Sequence, residues 1–137
     1  MPHFSKTSKK RLVTCDQDLQ TIFEYVIKHF DCTIICGERS KEAQEEAFDN
    51  GFSKVHFPNS KHNSNPSMAV DVIPYPIEWW NINRMKFFAG YVLGIAQRMY
   101  NDGEISHKLV SGLDWDADTV LKDTTFKDHP HFQLKKV

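Results

Sequence analysis

Leu19, Ile22, Phe23, Val26, Ile27 and Phe30 recur at the spacing that puts them on one side of a helix, and only Asp31 separates them from the apolar run Cys32-Thr33-Ile34-Ile35-Cys36. A stripe of this width needs a second layer to bury it. The run directly behind it reads as a buried strand of that layer. A helix obliged to pack beside a strand that follows so closely restricts the chain to mixed architectures. Thr14-Cys15-Asp16-Gln17 fits a capping box for this helix, with Thr14 as N-cap and Gln17 as its reciprocal partner.

The remaining elements follow from the same cues. Ser40 is placed to cap a helix over 41–50 that Gly51 closes. The stretch 52–68 is polar, carries Pro58 and Pro66, and reads as loop. Ala69-Val70-Asp71-Val72-Ile73 reads as a strand ended by Pro74. A third helix is predicted from about 83 to 101, with Met85, Phe88, Val92, Ile95, Ala96 and Met99 facing inward and Gly103 beyond its end. A strand is expected over 107–111, an irregular acidic stretch over 112–128 around Trp115, and a strand at His131-Phe132-Gln133-Leu134. The pattern predicts an α+β fold, a small antiparallel sheet packed by about three helices. At 137 residues, the chain fits a single domain over 1–137 with one core.

Composition removes several functions. A net charge of −1 leaves no footprint for nucleic acid. The one basic cluster, Lys6, Lys9, Lys10 and Arg11, reads as a solvated N-terminal arm. No apolar run is long enough to span a bilayer, and Leu12-Val13 gives way at once to Thr14, Cys15 and Asp16, unlike the apolar region of a signal peptide. The three cysteines, Cys15, Cys32 and Cys36, form no C-x-x-C pair, which argues against a disulfide framework or a thiolate zinc site. Cys32 and Cys36 are expected to be buried thiols. Seven histidines in so short a chain are a first hint of metal chemistry.

The chemistry concentrates on two strands. Residues two apart share a strand face, so Asp71 lies with Ala69 and Ile73 and opposite Val70 and Val72. A carboxylate in so apolar a strand is costly to bury without a partner, and a metal or an arginine would serve. On the last strand His131 and Gln133 share one face, and Asp128 lies three residues before His131, across Pro130. His62 adds a further donor from the loop before the Asp71 strand. A zinc hydrolase needs such parts: three protein ligands, a position for water, and a carboxylate to take its proton.

Taken together, these segments resemble the D-alanyl-D-alanine carboxypeptidase-like zinc peptidases of the VanX and VanY type, and among them the phage L-alanyl-D-glutamate endopeptidases that act as endolysins. The resemblance runs over nearly the whole chain. Its carriers are Phe4-Ser5-Lys6 with Ser8, Arg11-Leu12 and Asp18-Leu19; Gly37-Glu38-Arg39-Ser40; Gln44 with Gly51-Phe52-Ser53-Lys54; Ser60-Lys61-His62; Ala69-Val70-Asp71; Gly112-Leu113-Asp114-Trp115-Asp116; and Asp128-His129-Pro130-His131-Phe132. It implies a hedgehog/D-Ala-D-Ala-peptidase-like fold. It also implies one zinc per chain on His62, Asp71 and His131, with Asp128 as general base. Arg39 would hold a carbonyl oxygen or carboxylate, and Gln44, Ser60 and Trp115 would contribute to substrate binding. The alternative for Arg39 is a salt bridge tying its turn to the sheet.

One departure stands out. Asp71 lies nine positions after His62 (71 − 62 = 9), and residues 63–68 contain no glycine, whereas the family usually has a shorter interval with one. The longer loop is expected to bulge outward and to reshape the substrate groove rather than abolish metal binding. His129 is expected beside the metal shell or exposed, and His56 and His107 at the surface or in packing. Asp114, Asp116, Asp118 and Asp123 read as a solvated acidic loop, with a calcium site as the alternative.

The function implied by the resemblance is hydrolysis of the peptidoglycan stem peptide at the L-alanyl-D-glutamate bond, by a monomer made in the host cytoplasm and acting at the wall or periplasm. A D-Ala-D-Ala carboxypeptidase is the near alternative. A catalytically silent wall-binding zinc module is the distant one, and the carboxylate at Asp128 speaks against it.

Overall fold

A computed structural model describes residues 2–122 and 127–135. The elements in chain order are helix α1 (Lys6–Leu12), α2 (Gln17–His29), strand β1 (Cys32–Cys36), α3 (Lys41–Asp49), a 3₁₀ turn at Lys61–Asn63, β2 (Ala69–Pro74), α4 (Ile82–Asn101), β3 (Lys108–Ser111) and β4 (His131–Lys135). The strands form one antiparallel sheet in the order β1-β2-β4-β3. The architecture is α+β, as the sequence pattern predicts, with four α-helices among the described residues rather than about three.

The additional helix is α1, where the basic residues suggest a solvated arm. Its lysines do face water, but Phe4, Ser8 and Leu12 are buried beneath them. The Ser8 hydroxyl accepts the Ile34 backbone N–H at 3.1 Å, and Arg11 Nη1 donates to the Ile34 carbonyl at 3.0 Å. α1 thus covers β1, which would otherwise be a bare sheet edge.

The start of α2 also differs from expectation. Asp16, not Thr14, is the N-cap and accepts from the Asp18 N–H at 2.9 Å. Thr14 is occupied elsewhere: its hydroxyl donates to the Arg11 carbonyl at 2.6 Å and accepts the Glu38 N–H at 2.9 Å. Phe30 lies one residue past α2, with its ring edge-on to Phe88 at 5.0 Å. α3 starts at the predicted cap, with the Ser40 hydroxyl accepting the Ala43 N–H at 3.2 Å.

Strand periodicity divides the sheet into two faces. Ile34, Val70, Val72, Phe132 and Leu134 join Leu19, Ile22, Phe23 and Val26 of α2 and Phe88, Val92 and Ala96 of α4 in one apolar core. Asp71, His131 and Gln133 occupy the alternate positions and so point away from that core. The helices therefore stabilise one side of the sheet and leave the polar residues of the central strands on the other.

Candidate metal centre

β2 and β4 are neighbours in a register that sets Asp71 directly across from His131. His131 Nδ1 lies 3.2 Å from Asp71 Oδ1. His62 approaches the same oxygen from the 3₁₀ turn, with Nε2 also at 3.2 Å. Each of the three side chains is buried, and each presents one ligand atom within 4.8 Å of the others.

Each imidazole is oriented by its other nitrogen. His62 Nδ1–H donates to the Gly37 carbonyl at 2.7 Å, which leaves Nε2 facing Asp71. His131 Nε2 is 2.8 Å from Gln133 Oε1, which leaves Nδ1 facing Asp71. Outer hydrogen bonds of this kind select the tautomer and hold the ring in metal sites. Gly37 can supply its carbonyl only because it is glycine: a Cβ there would run into the Thr14 hydroxyl and the Arg11 carbonyl. The His62 turn is itself capped, since the Ser60 hydroxyl accepts the His62 N–H at 3.2 Å and Asn63 Oδ1 accepts the Ser60 N–H at 3.0 Å.

The longer interval between His62 and Asp71 projects away from the centre. Residues 64–66 are exposed, while the Met68 N–H closes onto the Lys61 carbonyl at 3.0 Å. The extension therefore leaves His62 in reach of Asp71.

The electrostatics fit a cation. Burial opposes charge on His62, but the Asp71 carboxylate outweighs it and pushes the imidazole up to about 10. Burial likewise opposes charge on Asp71, yet His62 and His131 hold its carboxyl far below the usual range. The pocket is thus built around a buried negative charge that takes its counter-charge from a protonated imidazole and from Arg39 Nη2 at 3.5 Å. Two imidazole nitrogens and one carboxylate oxygen are also the donor set of an open catalytic zinc site, and a divalent cation would provide the same counter-charge from one point.

Asp128 stands beside this trio, with Oδ2 3.8 Å from His131 Nδ1. Burial and the neighbouring Asp71 charge raise its carboxyl to about 6, against the pull of His131, His62 and Arg39. Its backbone is held by Gly112, whose carbonyl accepts the Asp128 N–H at 2.9 Å. A Cβ at Gly112 would overlap the Asp128 carbonyl and come within 3.0 Å of the His131 Cβ.

The other predicted site residues take different places. Arg39 pairs with Asp71, so the salt bridge to the sheet exists, and it also faces the two cavities that open beside the centre. Gln44 is fully buried and lines neither cavity. It accepts from Arg39 Nη1 at 3.0 Å and Asn63 Nδ2 at 3.3 Å and donates to Ser53 Oγ and the Val55 carbonyl, both at 2.8 Å, so it holds the groove wall from behind. Ser60 and Trp115 line the smaller cavity, and the Trp115 ring lies 5.1 Å from that of His131. Cys36, expected to be buried, is half-buried and faces the larger cavity.

His129 is half-buried outside β4, whose first residue is His131. His56 pairs with Glu45 at 2.8 Å and stacks on Phe48, and His107 pairs with Asp18 at 2.7 Å. Asp114, Asp116 and Asp118 do converge, but Asp114 is engaged by the Asp118 and Thr119 N–H groups, and a hydrogen-bonded turn accounts for their proximity without calcium. Asp123 lies outside the described residues. Gly37, Asn63, Gly112 and Gln133 support the centre and were not singled out as site residues from sequence. For Gln133 the signal was present, since it shares a strand face with His131.

Comparison with known proteins places the chain independently. The phage L-alanyl-D-glutamate peptidase family matches residues 1–135. Among curated proteins nothing matches. Among solved structures, the L-Ala D-Glu endopeptidase ChiX of Serratia marcescens superposes with a TM-score of 0.71 at 23% identity, over 96% of this chain and 89% of that one. At that identity the likeness concerns the fold.

Proposed function

Since the chain belongs to the phage L-alanyl-D-glutamate peptidase family, we propose that it is a zinc-dependent endopeptidase that hydrolyses the L-alanyl-D-glutamate amide of the peptidoglycan stem peptide. The observation that carries the zinc reading is the convergence of His62 Nε2 and His131 Nδ1 on one oxygen of a buried aspartate. His62, Asp71 and His131 would hold the metal. Zinc so bound supplies Lewis acidity toward a carbonyl oxygen and brings the pKa of water down to about 7.

The chain's own groups account for proton movement and orientation. Asp128, at the edge of the trio, takes the proton of the attacking water and returns it to the leaving nitrogen of D-glutamate. Arg39 is held by Asp71 and Gln44, so its guanidinium enters the groove already oriented. It steadies the developing oxyanion or the carboxylate of D-glutamate. Trp115 forms a wall beside His131. Among the described residues no helix is long and apolar enough to cross a membrane.

The test is mass spectrometry of purified peptidoglycan after digestion. New amino termini on D-glutamate, lost with a chelator and restored by zinc, are expected. Release of terminal D-alanine alone would overturn the reading in favour of a carboxypeptidase.

A further inference from the structure

Two cavities meet at the centre, of about 320 and 630 Å³, and both are bounded by Arg39, Phe52 and Asp128. Their linings differ in the groups they add to these. The smaller adds two lysines, Lys54 and Lys61, with Asn59, Ser60, Gln133 and Trp115. The larger carries Ile35, Ala47, Trp79, Ile82, Met85 and Pro130, with Cys36, Lys127 and His129 as its polar groups besides the shared ones and Asp71. Trp79 and Phe52 are 52% and 74% exposed, and both rings border the larger cavity, so their apolar surface is open to a ligand seated there.

The substrate proposed above has a matching asymmetry. On the D-glutamate side of the scissile amide lie carboxylates. On the other side lies a single L-alanine, joined by a lactyl group to the muramic acid ring. One residue plus that spacer spans about 7 Å, so the sugar must sit immediately beside the centre, on the enzyme's surface. The cationic arm suits the carboxylates. The larger arm has the volume for a sugar ring and offers the Trp79 indole, with Phe52 at the border between the two cavities, for its C–H face, and Lys127 and His129 for its hydroxyl and acetamido groups.

The geometry points to the larger cavity, with Trp79 and Phe52, as a subsite for the N-acetylmuramoyl group. This rests on the L-alanyl-D-glutamate reading above and makes the enzyme one that recognises the branch point between glycan and peptide. Trp79 comes from the loop between β2 and α4 and has no part in holding the metal trio.

The experiment compares zinc-loaded wild type and Trp79→Ala on two substrates, an N-acetylmuramoyl-L-Ala-D-Glu peptide and the same peptide with a plain N-acetyl cap. Wild type should favour the sugar-bearing peptide by about tenfold or more in kcat/KM. In Trp79→Ala the ratio should fall to near one, Trp79→Phe should keep part of it, and Lys61→Ala should leave it in place. Separately, N-acetylmuramoyl-L-alanine should quench tryptophan fluorescence in wild type and much less in Trp79→Ala. A wild-type ratio near one, or a ratio that survives Trp79→Ala, overturns the subsite while leaving the peptidase reading intact. Trp79-dependent quenching without cleavage of either peptide would keep the subsite and sink the peptidase reading instead.

Discussion

At the scale of single residues, the centre depends on which nitrogen each histidine turns toward Asp71. Gln133 makes that choice for His131, as the Gly37 carbonyl does for His62. Gln133→Leu should therefore weaken zinc binding by roughly 10- to 100-fold in chelator competition, the usual effect of losing such a partner. Gln133→Glu keeps an acceptor and should retain affinity; equal affinity in the Leu variant would show that the imidazole needs no such support. Asp128→Asn separates binding from proton transfer. It should retain zinc and lose roughly two to four orders of magnitude in kcat, measured on a defined stem peptide. The side-chain direction of Asp71, His131 and Gln133 was legible from strand alternation alone. Gln44 was legible as a motif residue but not as a buried one, because its partners Arg39, Asn63, Ser53 and Val55 come from segments whose meeting no local pattern records.

At the scale of elements, close backbone approaches set the geometry. Gly112 follows β3 and packs against the turn that presents Asp128. Gly112→Ala should push that turn away and lower kcat by about 100-fold, the order expected from a misplacement near 1 Å, with zinc content as the control. A second junction joins the first turn of α2 to the segment before β3. Asp18 Oδ2 accepts from the Ser106 N–H and hydroxyl, from the His107 N–H and from His107 Nδ1, at 2.9, 3.1, 3.1 and 2.7 Å. Burial alone would raise this carboxyl, but the hydrogen bonds from His107 and Ser106 prevail and hold it below its ordinary value. A depressed folded-state pKa favours the fold above the unfolded value and loses that contribution as pH falls through the folded one. Asp18→Asn should cost about 1–2 kcal/mol near neutral pH and flatten the loss of stability on acidification, as followed by thermal melts across pH. Strand and helix positions were largely legible from periodicity, with ends shifted by a residue or so. α1 was not, because its charged face dominates a seven-residue helix whose buried face is only Ser8 and Leu12. The α2 cap falls on Asp16 rather than Thr14 because the Thr14 hydroxyl turns back to the Arg11 carbonyl at the end of α1 and takes the Glu38 N–H, a contact that exists only once α1 and the turn after β1 have met.

At the scale of the whole molecule, the trio joins the loop after α3, the strand β2 and the strand β4, so metal and fold should be linked. Zinc at about 100 times its Kd should add close to 2.7 kcal/mol to stability. Chelation should lower Tm in the wild type and much less in His131→Ala, as measured by calorimetry. The strand order β1-β2-β4-β3 has a further consequence in time. β4 is last of the four in sequence yet lies between two strands made before it, so during synthesis β2 and β3 must wait apart until it arrives. A nascent chain that stops before residue 131 lacks one imidazole and the strand that would bring it to Asp71. Order of synthesis and order of assembly therefore differ: two members of the trio are made early and stay apart from the third until β4 inserts between β2 and β3.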